Sequence, residues 1–451
     1  MKKFLLSLLA ILTVNISVAQ QKAIKENTIH NIKHIESIVP QPLSASSLMP
    51  APFWSNDFST PSDWTMVDML NGGLQNWVIT TNGPVGSFSA AMGVINSTTA
   101  ANGFALFDSD ALNTQYSPQE ATLTHNGTID CSAYQYVNIN FECYHRVFND
   151  SVFVEISTDN FATVAGRYRI QPTLATNESS PNPELVSLNI SSSAGNQSNV
   201  YFRFHYEGEW DYATMIDDIT FSETPDNELT FSNPTFGGWW LGYQITGDLG
   251  CDYTFYPMSQ SLAMPYRIEG VVKNSGVQNQ NNITLHVDVE EANTSNITSL
   301  SSSPISLSML QNDTVATISN FTPSNMGLYN MSYWATSDSF PTTDTITLST
   351  IVTDSVYAVD YDWNSDGANA SGYAYLSRPN CGQVLANVYD IYANDILTSI
   401  SFHISDQSVA GGDVTAQLYE TDGQIYIAES DVYTLQPSDI GQWVTLPLLN
   451  P

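Results

Sequence analysis

The sequence predicts an all-β protein made of consecutive sandwich domains. Hydrophobic residues form 42% of the chain and aromatic residues 11%, including 23 Tyr, and such residues suit the pleated, half-buried surface of a sheet. Short runs alternate apolar and polar residues with a period of two, which is typical of strands that bury one face. No amphipathic stretch of the mature chain predicts a helix of more than about two turns.

The charge balance excludes two classes of partner. Asp and Glu number 45 against 12 Lys and Arg, which gives the 451 residues a formal net charge of −33. Nucleic-acid binding needs clustered cations to neutralise phosphate, and docking to an anionic membrane surface needs the same cations. We therefore expect no nucleic acid and no anionic membrane surface as a partner.

The N-terminus predicts export. Lys2 and Lys3 precede an apolar run over 4–14, and small residues follow at 17–19, so residues 1–19 are predicted to be a signal peptide. Residues 20–50 hold lysines and prolines but few large apolar side chains, which indicates a leader or linker. No later stretch approaches roughly 18 consecutive apolar residues. We expect a mature chain without a transmembrane segment that is secreted or attached to the outer cell surface.

Residues 51–223 are predicted to form a jelly-roll sandwich. Three runs show the alternation clearly: 136–141 (YVNINF), 151–156 (SVFVEI) and 200–206 (VYFRFHY). Strands at such regular spacing, separated by clusters of turn residues, are typical of sandwiches and jelly rolls.

Two further β-domains are expected after the polar break at 222–227. Residues 224–355 are predicted to be an immunoglobulin-like sandwich, with strands at 266–272 and 283–289 and a hairpin region at 293–304. Residues 356–451 are predicted to be a partial β-sandwich, with strands near 384–392, 396–404, 413–419, 424–428 and 443–448. Because the last run has the pattern of a mid-domain strand, we expect the natural chain to continue.

Several motifs in residues 53–222 carry a family resemblance. They are Asp57-Phe58, Trp64, Trp77, 103–110 (GFALFDSD), 154–159 (VEISTD) and the closing strand 215–221 (MIDDITF). This segment resembles the cleaved-adhesin and MAM-like jelly-roll domains of secreted Bacteroidota proteins, although 68–73 (DMLNGG) lacks the denser Asp/Gly run of that group. The resemblance implies an adhesin-type protein. It also implies export by the outer-membrane (type IX) secretion machinery through a C-terminal sorting domain beyond residue 451.

Acidic residues suggest calcium as the cofactor. Asp217 and Asp218 are adjacent near a strand end, and calcium prefers carboxylate and carbonyl oxygens. On a regular strand their side chains point to opposite faces, so only one would enter a given site. The resemblance implies a structural calcium between the first and last strands, which would recruit Asp57 and Asp218. A solvated pair of acids is the alternative.

Two further acidic motifs were considered as metal sites. Asp108 and Asp110 lie on one side of an extended segment and form a second candidate ligand set, with a polar turn as the alternative. Residues 360–367 (DYDWNSDG) resemble the opening of an EF-hand loop, but Tyr373 occupies the twelfth position, where calcium needs a Glu. We interpret that segment as a polar turn.

Catalytic signatures are absent from the sequence. It has no metalloprotease, nucleophile-elbow, phosphate-loop or dinucleotide motif. The predicted jelly roll places His145 and His205 on neighbouring strands with Cys143 nearby, but no third group is evident that would orient a Cys–His pair. We therefore interpret these histidines as core or edge residues and expect no enzymatic activity.

Aromatic residues are the candidate ligand-binding groups. Trp210 and Tyr212 precede the last jelly-roll strand, and Trp239 and Trp240 lie among glycines. Exposed aromatic side chains on sandwich loops stack on sugar rings or anchor protein partners, whereas core packing is the alternative.

The four cysteines are too few for a disulfide framework. They allow three connectivities, and buried free thiols are the interpretation that we favour.

The sequence thus predicts a secreted, non-catalytic, adhesin-type protein that recognises an extracellular glycan or protein. The alternative is a set of accessory β-modules of a secreted hydrolase, such as a protease, whose catalytic domain would lie beyond residue 451.

Overall fold

The structure is a computed structural model, and it describes residues 50–112, 118–172, 174, 176–359, 386–404, 408–421 and 425–449. The predicted signal peptide, the leader up to residue 49, the EF-hand-like segment 360–367 and Cys381 lie outside the described residues. Within the described part of the chain, the longest helices have six residues, so the all-β prediction is confirmed.

The first sandwich contains eleven strands. They are β1 (Trp54–Asn56), β2 (Trp64–Asp68), β3 (Val78–Thr80), β4 (Phe104–Asp108), β5 (Gln119–His125), β6 (Val137–His145), β7 (Ser151–Ser157), β8 (Gly166–Arg169), β9 (Glu184–Asn189), β10 (Tyr201–Gly208) and β11 (Ala213–Glu223). Two short helices, α1 (Ser109–Leu112) and α2 (Ser191–Ala194), and 3-10 turns at Pro61–Asp63, Ala90–Met92 and Ala100–Asn102 connect them.

These strands form two antiparallel sheets. Sheet 1 has the order β3-β4-β11-β6-β9, with β1 also paired to β11, and sheet 2 has the order β2-β5-β10-β7-β8. The first strand therefore lies against the last, with Trp54 opposite Phe221. This arrangement confirms the predicted jelly-roll sandwich.

Period-two patterns determine which side chains fill the space between the sheets. On β7, Val152, Val154 and Ile156 are buried in the core, and Phe202 and Phe204 of β10 pack there as well. The intervening residues point away from the core, to the outer face of sheet 2. That outer face carries the polar cluster described below.

The second sandwich contains nine strands and two helices. They are β12 (Leu229–Thr235), α3 (Leu241–Thr246), β13 (Phe255–Pro257), α4 (Met258–Ala263), β14 (Glu269–Asn274), β15 (Gln280–Glu291), β16 (Asn296–Ser301), β17 (Ile305–Leu307), β18 (Asn312–Ala316), β19 (Gly327–Thr336) and β20 (Ile346–Thr353). A three-stranded sheet, β12-β14-β18, and a larger one, β13-β20-β19-β15-β16 with β17 beside β15, share one core. Strand β13 runs parallel to β20, whereas the other pairs are antiparallel.

A segment after the second sandwich packs on its core. Tyr389 and Tyr392 contact that core, and Tyr357 donates a hydrogen bond to the backbone of Asp390 at 2.7 Å. The strand predicted near 384–392 is wrong over 386–392, where the described backbone is irregular. Tyr389 and Tyr392 pack on the aromatic side chains of the sandwich and not within a sheet, whereas Ile391 is exposed.

The last described unit is small. Its strands are β21 (Ser399–His403), β22 (Asp413–Val414), β23 (Gln417–Glu420), β24 (Ile425–Glu429), β25 (Tyr433–Thr434) and β26 (Trp443–Pro447), with a 3-10 turn at Pro437–Asp439. They form three two-stranded sheets around a core that buries Ile404, Ala416, Val444 and Leu446.

None of the described helices has the length and hydropathy needed to cross a membrane. Cys131, Cys143 and Cys251 are buried free thiols.

Candidate functional site

The outer face of sheet 2 carries a cluster of charged side chains at the centre of the sheet. Strand β10 lies between β5 and β7, which places Arg203 opposite Glu155 and Glu207 opposite Glu120. Arg167 of β8 lies opposite Glu155 on its other side. We call Glu120, Glu155, Arg167, Arg203, His205 and Glu207 the sheet-face cluster.

Glu155 is the centre of the sheet-face cluster. Arg203 approaches its Oε2 with Nε at 2.7 Å and Nη2 at 2.6 Å. Its Oε1 accepts from Arg167 Nε at 2.9 Å and from His205 Nδ1 at 3.0 Å. Burial raises the pKa of Glu155, but the hydrogen bonds from His205 and Arg203 outweigh burial and lower the pKa to about 2. Glu155 is therefore a buried carboxylate that stays ionised.

The second nitrogen of His205 points to two other carboxylates. Nε2 lies 3.1 Å from Glu120 Oε1 and 3.7 Å from Glu207 Oε1. Among the residues that the structure describes, Glu120, His205 and Glu207 are the group whose ligand atoms all lie within 4.8 Å of one another. These three residues form an acidic site that could hold a metal ion.

Two aromatic rings support the arginines of the sheet-face cluster. The guanidinium of Arg167 lies 3.6 Å from the ring centre of Phe153, and that of Arg203 lies 4.3 Å from the ring centre of Phe161. Such stacking fixes flexible arginine side chains in place.

The sequence carries a pattern that indicates this cluster. Arg203, His205 and Glu207 alternate along one strand, which places all three on one face, and Glu155 interrupts an apolar run. We instead placed His145 and His205 on neighbouring strands. That placement is wrong, because His145 lies on β6 of sheet 1 and His205 on β10 of sheet 2.

The predicted calcium ligands Asp57 and Asp218 meet the same loop. Thr99 donates its backbone N–H and its hydroxyl to Asp218, at 3.0 and 2.9 Å, and Asn102 donates to Asp57 at 2.9 Å. Ser59 also donates to Asp57. In the described structure, Asp57, Asp217 and Asp218 do not bring three ligand atoms within 4.8 Å of one another.

A bulge in β11 changes the expected orientation of Asp217. Asp218 has a φ of 49°, and the register shifts between Asp217 and Thr220. A bulge re-aims side chains, so Asp217 and Asp218 contact the same loop, Asp217 accepting from Ser97 at 2.6 Å. The expectation that they serve opposite faces is therefore wrong. Burial raises the pKa of Asp217 to about 7.

Asp108 and Asp110 both hold the loop over 85–89. Asp108 accepts from the backbone of Val85 and Gly86 and from the hydroxyl of Ser89. Asp110 accepts from the backbone of Phe88 and Ser89. The structure thus places these carboxylates on one loop, with protein donors as their partners.

The predicted aromatic residues of the first sandwich are half-buried. Trp210 donates its ring N–H to Asp110 at 2.9 Å, and Tyr212 donates its hydroxyl to Asn177 at 2.8 Å. The guanidinium of Arg146 lies 4.0 Å from the ring centre of Tyr212.

Trp239 and Trp240 lie together in the second sandwich. Their ring centres are 6.4 Å apart, and Trp240 donates to the backbone of Asn233 at 3.1 Å. They line a cleft of about 30 Å³, which has room for about one water molecule. A sugar ring would have to stack outside this cleft.

A buried acidic pair lies at one end of the first sandwich. Burial, together with Asp211, raises the pKa of Asp150 to about 8, and Asp150 Oδ2 has no hydrogen-bond partner among the residues that the structure describes. Asp211 accepts from the hydroxyl of Tyr206 at 2.9 Å. His145 Nε2 lies 3.7 Å from Asp150, and burial lowers the pKa of His145 to about 3.

The chain matches no family model and no curated protein. Among solved structures, the K3 cleaved adhesin domain of Lys-gingipain from Porphyromonas gingivalis W83 is 14% identical with a TM-score of 0.27, over 38% of this chain and 99% of that one. TmCBM61 in complex with beta-1,4-galactotriose is 9% identical with a TM-score of 0.24, over 37% of this chain and 94% of that one.

A longer chain is also among the similar structures. The glycoside hydrolase domain of Endo-D from Streptococcus pneumoniae R6 is 10% identical with a TM-score of 0.24, over 65% of this chain. The matched region spans 38% of that chain. Likenesses this distant carry no argument about function, which must come from the residues of the site.

Proposed function

We propose that this chain is an extracellular, non-catalytic adhesin-type protein that binds a glycan on the outer face of sheet 2. The observation that carries the proposal is the sheet-face cluster, in which planar charged groups are fixed on an open sheet beside two aromatic rings. The predicted signal peptide supports the extracellular location, and export by an outer-membrane secretion machinery is part of the same proposal.

The carboxylate and guanidinium groups of the cluster can hydrogen-bond to sugar hydroxyls. The side chains of Arg167, Glu207 and Glu120 are 38%, 42% and 32% exposed, so a ligand can reach them. Arg167 and Glu207 form an ion pair, and Glu120 contacts His205 at hydrogen-bond distance. Little side-chain entropy would be lost when a ligand binds groups that are already ordered, which favours affinity.

Apolar surface beside the cluster matches the C–H faces of a sugar ring. Val67 is exposed on the edge strand β2 opposite Thr122, and Phe153 and Phe161 are half-buried beneath the guanidinium groups of Arg167 and Arg203. Sugar rings pack their C–H faces on such flat apolar surfaces, while their hydroxyls reach polar groups alongside.

Within the sheet-face cluster, Glu155 lacks the raised pKa that a catalytic acid needs. Glycoside hydrolysis needs a carboxylic acid whose pKa is raised so that it can donate a proton near neutral pH. The pKa of Glu155 is lowered to about 2, so this residue cannot act as that acid.

A structural calcium between the first and last strands belongs to the same proposal. Asp57 and Asp218 place carboxylates at one loop, which supports it. An ion there would have to replace Asn102 and Thr99 as partners of these carboxylates. Calcium would supply cross-linking of the strands and no chemistry.

A glycan array probed with the full chain tests the binding function. We expect binding to at least one class of glycan, and at least a tenfold loss of affinity in Arg167→Gln. Lys273→Gln is the matched control, because Lys273 is an exposed cation on β14 of the second sandwich.

Two outcomes would overturn the proposal. Absence of binding across the array would contradict the glycan-binding function. If Trp210→Ala abolishes binding while Arg167→Gln retains it, the site lies at the loop of Trp210 and not on the face of sheet 2.

A further inference from the structure

We infer that Glu120, His205 and Glu207 form a binding site for a divalent transition-metal ion, with zinc as the expected ion. The inference rests on the geometry of these side chains and does not depend on glycan binding.

The spacing of the three ligand atoms suits a tetrahedral ion. His205 Nε2 lies 3.1 Å from Glu120 Oε1 and 3.7 Å from Glu207 Oε1. Ligand atoms at about 2.0–2.2 Å from a tetrahedral zinc ion are roughly 3.3–3.6 Å apart. These two separations lie close to that range, and all three ligand atoms lie within 4.8 Å of one another, so modest side-chain shifts would bring them around one ion.

A buried carboxylate orients the histidine from behind. Nδ1 of His205 donates to Glu155 Oε1 at 3.0 Å, and the side chain of Glu155 is 4% exposed. Metal-binding histidines generally donate their second ring N–H to a carboxylate or carbonyl, which fixes the tautomer and aims the other nitrogen at the ion. Arg203 and Arg167 hold Glu155 in place, so this orientation exists before any ion arrives.

The ligand types select among divalent ions. Calcium and magnesium take oxygen ligands, whereas one imidazole nitrogen with two carboxylate oxygens suits zinc. Glu120 and Glu207 are partly exposed, so solvent can reach the fourth coordination position. Three protein ligands would leave the fourth coordination position to a water molecule.

One arginine competes with the ion for a ligand. Arg167 Nη2 contacts Glu207 Oε1. Arg167 also bonds to Glu155 and stacks on Phe153, so it can release Glu207 without losing its position. Alternatively, Glu207 could bind the ion through its other carboxylate oxygen, Oε2, while Oε1 keeps its contact with Arg167.

Titration of the metal-free full chain with Co²⁺ and then Zn²⁺ tests the inference. We expect one equivalent of Co²⁺ to give the visible absorption of tetrahedral cobalt, and Zn²⁺ to displace it. Glu120→Gln and Glu207→Gln should each weaken binding at least tenfold and change the cobalt spectrum. Glu290→Gln is the matched control, because Glu290 is a half-buried strand glutamate on β15 of the second sandwich, and it should bind like the unaltered chain.

Glu155→Gln tests the positioning role separately. We expect a 10–100-fold loss of affinity, as for other partners behind a metal-bound histidine, with the cobalt band positions unchanged because the ligands remain. Circular dichroism spectra of each variant should match that of the unaltered chain, which checks that the variants are folded.

The inference is overturned if the chain shows no saturable Co²⁺ or Zn²⁺ binding, or if both ligand variants bind like the unaltered chain. Metal binding without any glycan binding would overturn the proposed function and leave the metal site intact. Glycan binding without metal binding would do the reverse.

Discussion

Arg203 and Glu155 face each other across neighbouring strands, and both guanidinium nitrogens that reach Glu155, Nε and Nη2, contact the same oxygen, Oε2. This leaves Oε1 for Arg167 and His205. One buried carboxylate thus binds three cationic or hydrogen-bonding side chains from two strands, and it holds the outer face of sheet 2 in a single arrangement.

Glu155→Gln should destabilise the first sandwich at pH 7 by about 3–5 kcal/mol, because removing one member of a buried ionic network leaves its partners uncompensated. The native pKa of about 2 lies below the ordinary value of 4.5, so this stabilisation is present above pH 4.5 and lost as the pH falls toward 2. Urea unfolding at pH 7 and pH 3 should show the difference shrinking at pH 3. Equal stability of Glu155→Gln and the unaltered chain at pH 7 would contradict the prediction.

Asp150→Asn should raise the melting temperature at pH 8.5. The native pKa of Asp150, about 8, lies above its ordinary 3.8, so the folded state binds more protons than the unfolded state between these values. Stability therefore falls by roughly 1 kcal/mol per pH unit as the pH rises toward 8. Calorimetry from pH 6 to 8.5 should show a weaker decline in the variant. The exposed Asp226→Asn serves as the control, and an unchanged pH profile in Asp150→Asn would refute the assignment.

Calcium should raise the melting temperature of the first sandwich in the full chain. An ion that binds only the folded state stabilises it by about 2.7 kcal/mol at a hundredfold excess over Kd. Asp57→Asn combined with Asp218→Asn should remove the effect, and Asn tolerates the positive φ of residue 218. Identical melting with calcium and with EDTA would show that no such site exists.

The cysteines of the two sandwiches should resist thiol reagents in the folded state. Burial raises the pKa of Cys131 and of Cys251 to about 12, and it raises the pKa of Cys143 as well, so the reactive thiolate is scarce. We expect a disulfide-exchange reagent to leave these thiols unlabelled in the folded chain. The same reagent should label them after the chain is denatured in the absence of reductant. Fewer free thiols than expected after denaturation would instead indicate a disulfide.

The fold was predictable where local pattern determines it. Residues 151–156 and 200–206 alternate because one face of each strand packs in the core, and the structure forms β7 and β10 there. The irregular segment 386–392 was not predicted, because Tyr389 and Tyr392 pack on the core of the second sandwich and not within a sheet. The bulge at Asp218 was not predicted either, because one residue with a left-handed backbone does not change the apolar–polar pattern of the sequence.

The candidate site was less predictable than the fold because strand order is not local. Glu120, Glu155 and His205 are far apart in the chain, and they meet only because β10 lies between β5 and β7. Because strand order could not be predicted, the predicted placement of His145 beside His205 is wrong. The acids Asp108 and Asp110 were recognisable as a pair, but the loop that they hold could not be read from spacing.

The pairing of β1 with β11 determines how the first sandwich would respond to a pull on its two chain ends. Trp54 and Phe221 lie opposite each other, so the chain enters and leaves the first sandwich at the same end of sheet 1. Because the two strands are antiparallel, a pull on the two chain ends would break the backbone hydrogen bonds between them one after another, starting at Trp54 and Phe221. Strand β1 has only three residues, but Trp54 packs on Phe202 and Phe221 in the core, so separating β1 from β11 would also break these aromatic contacts.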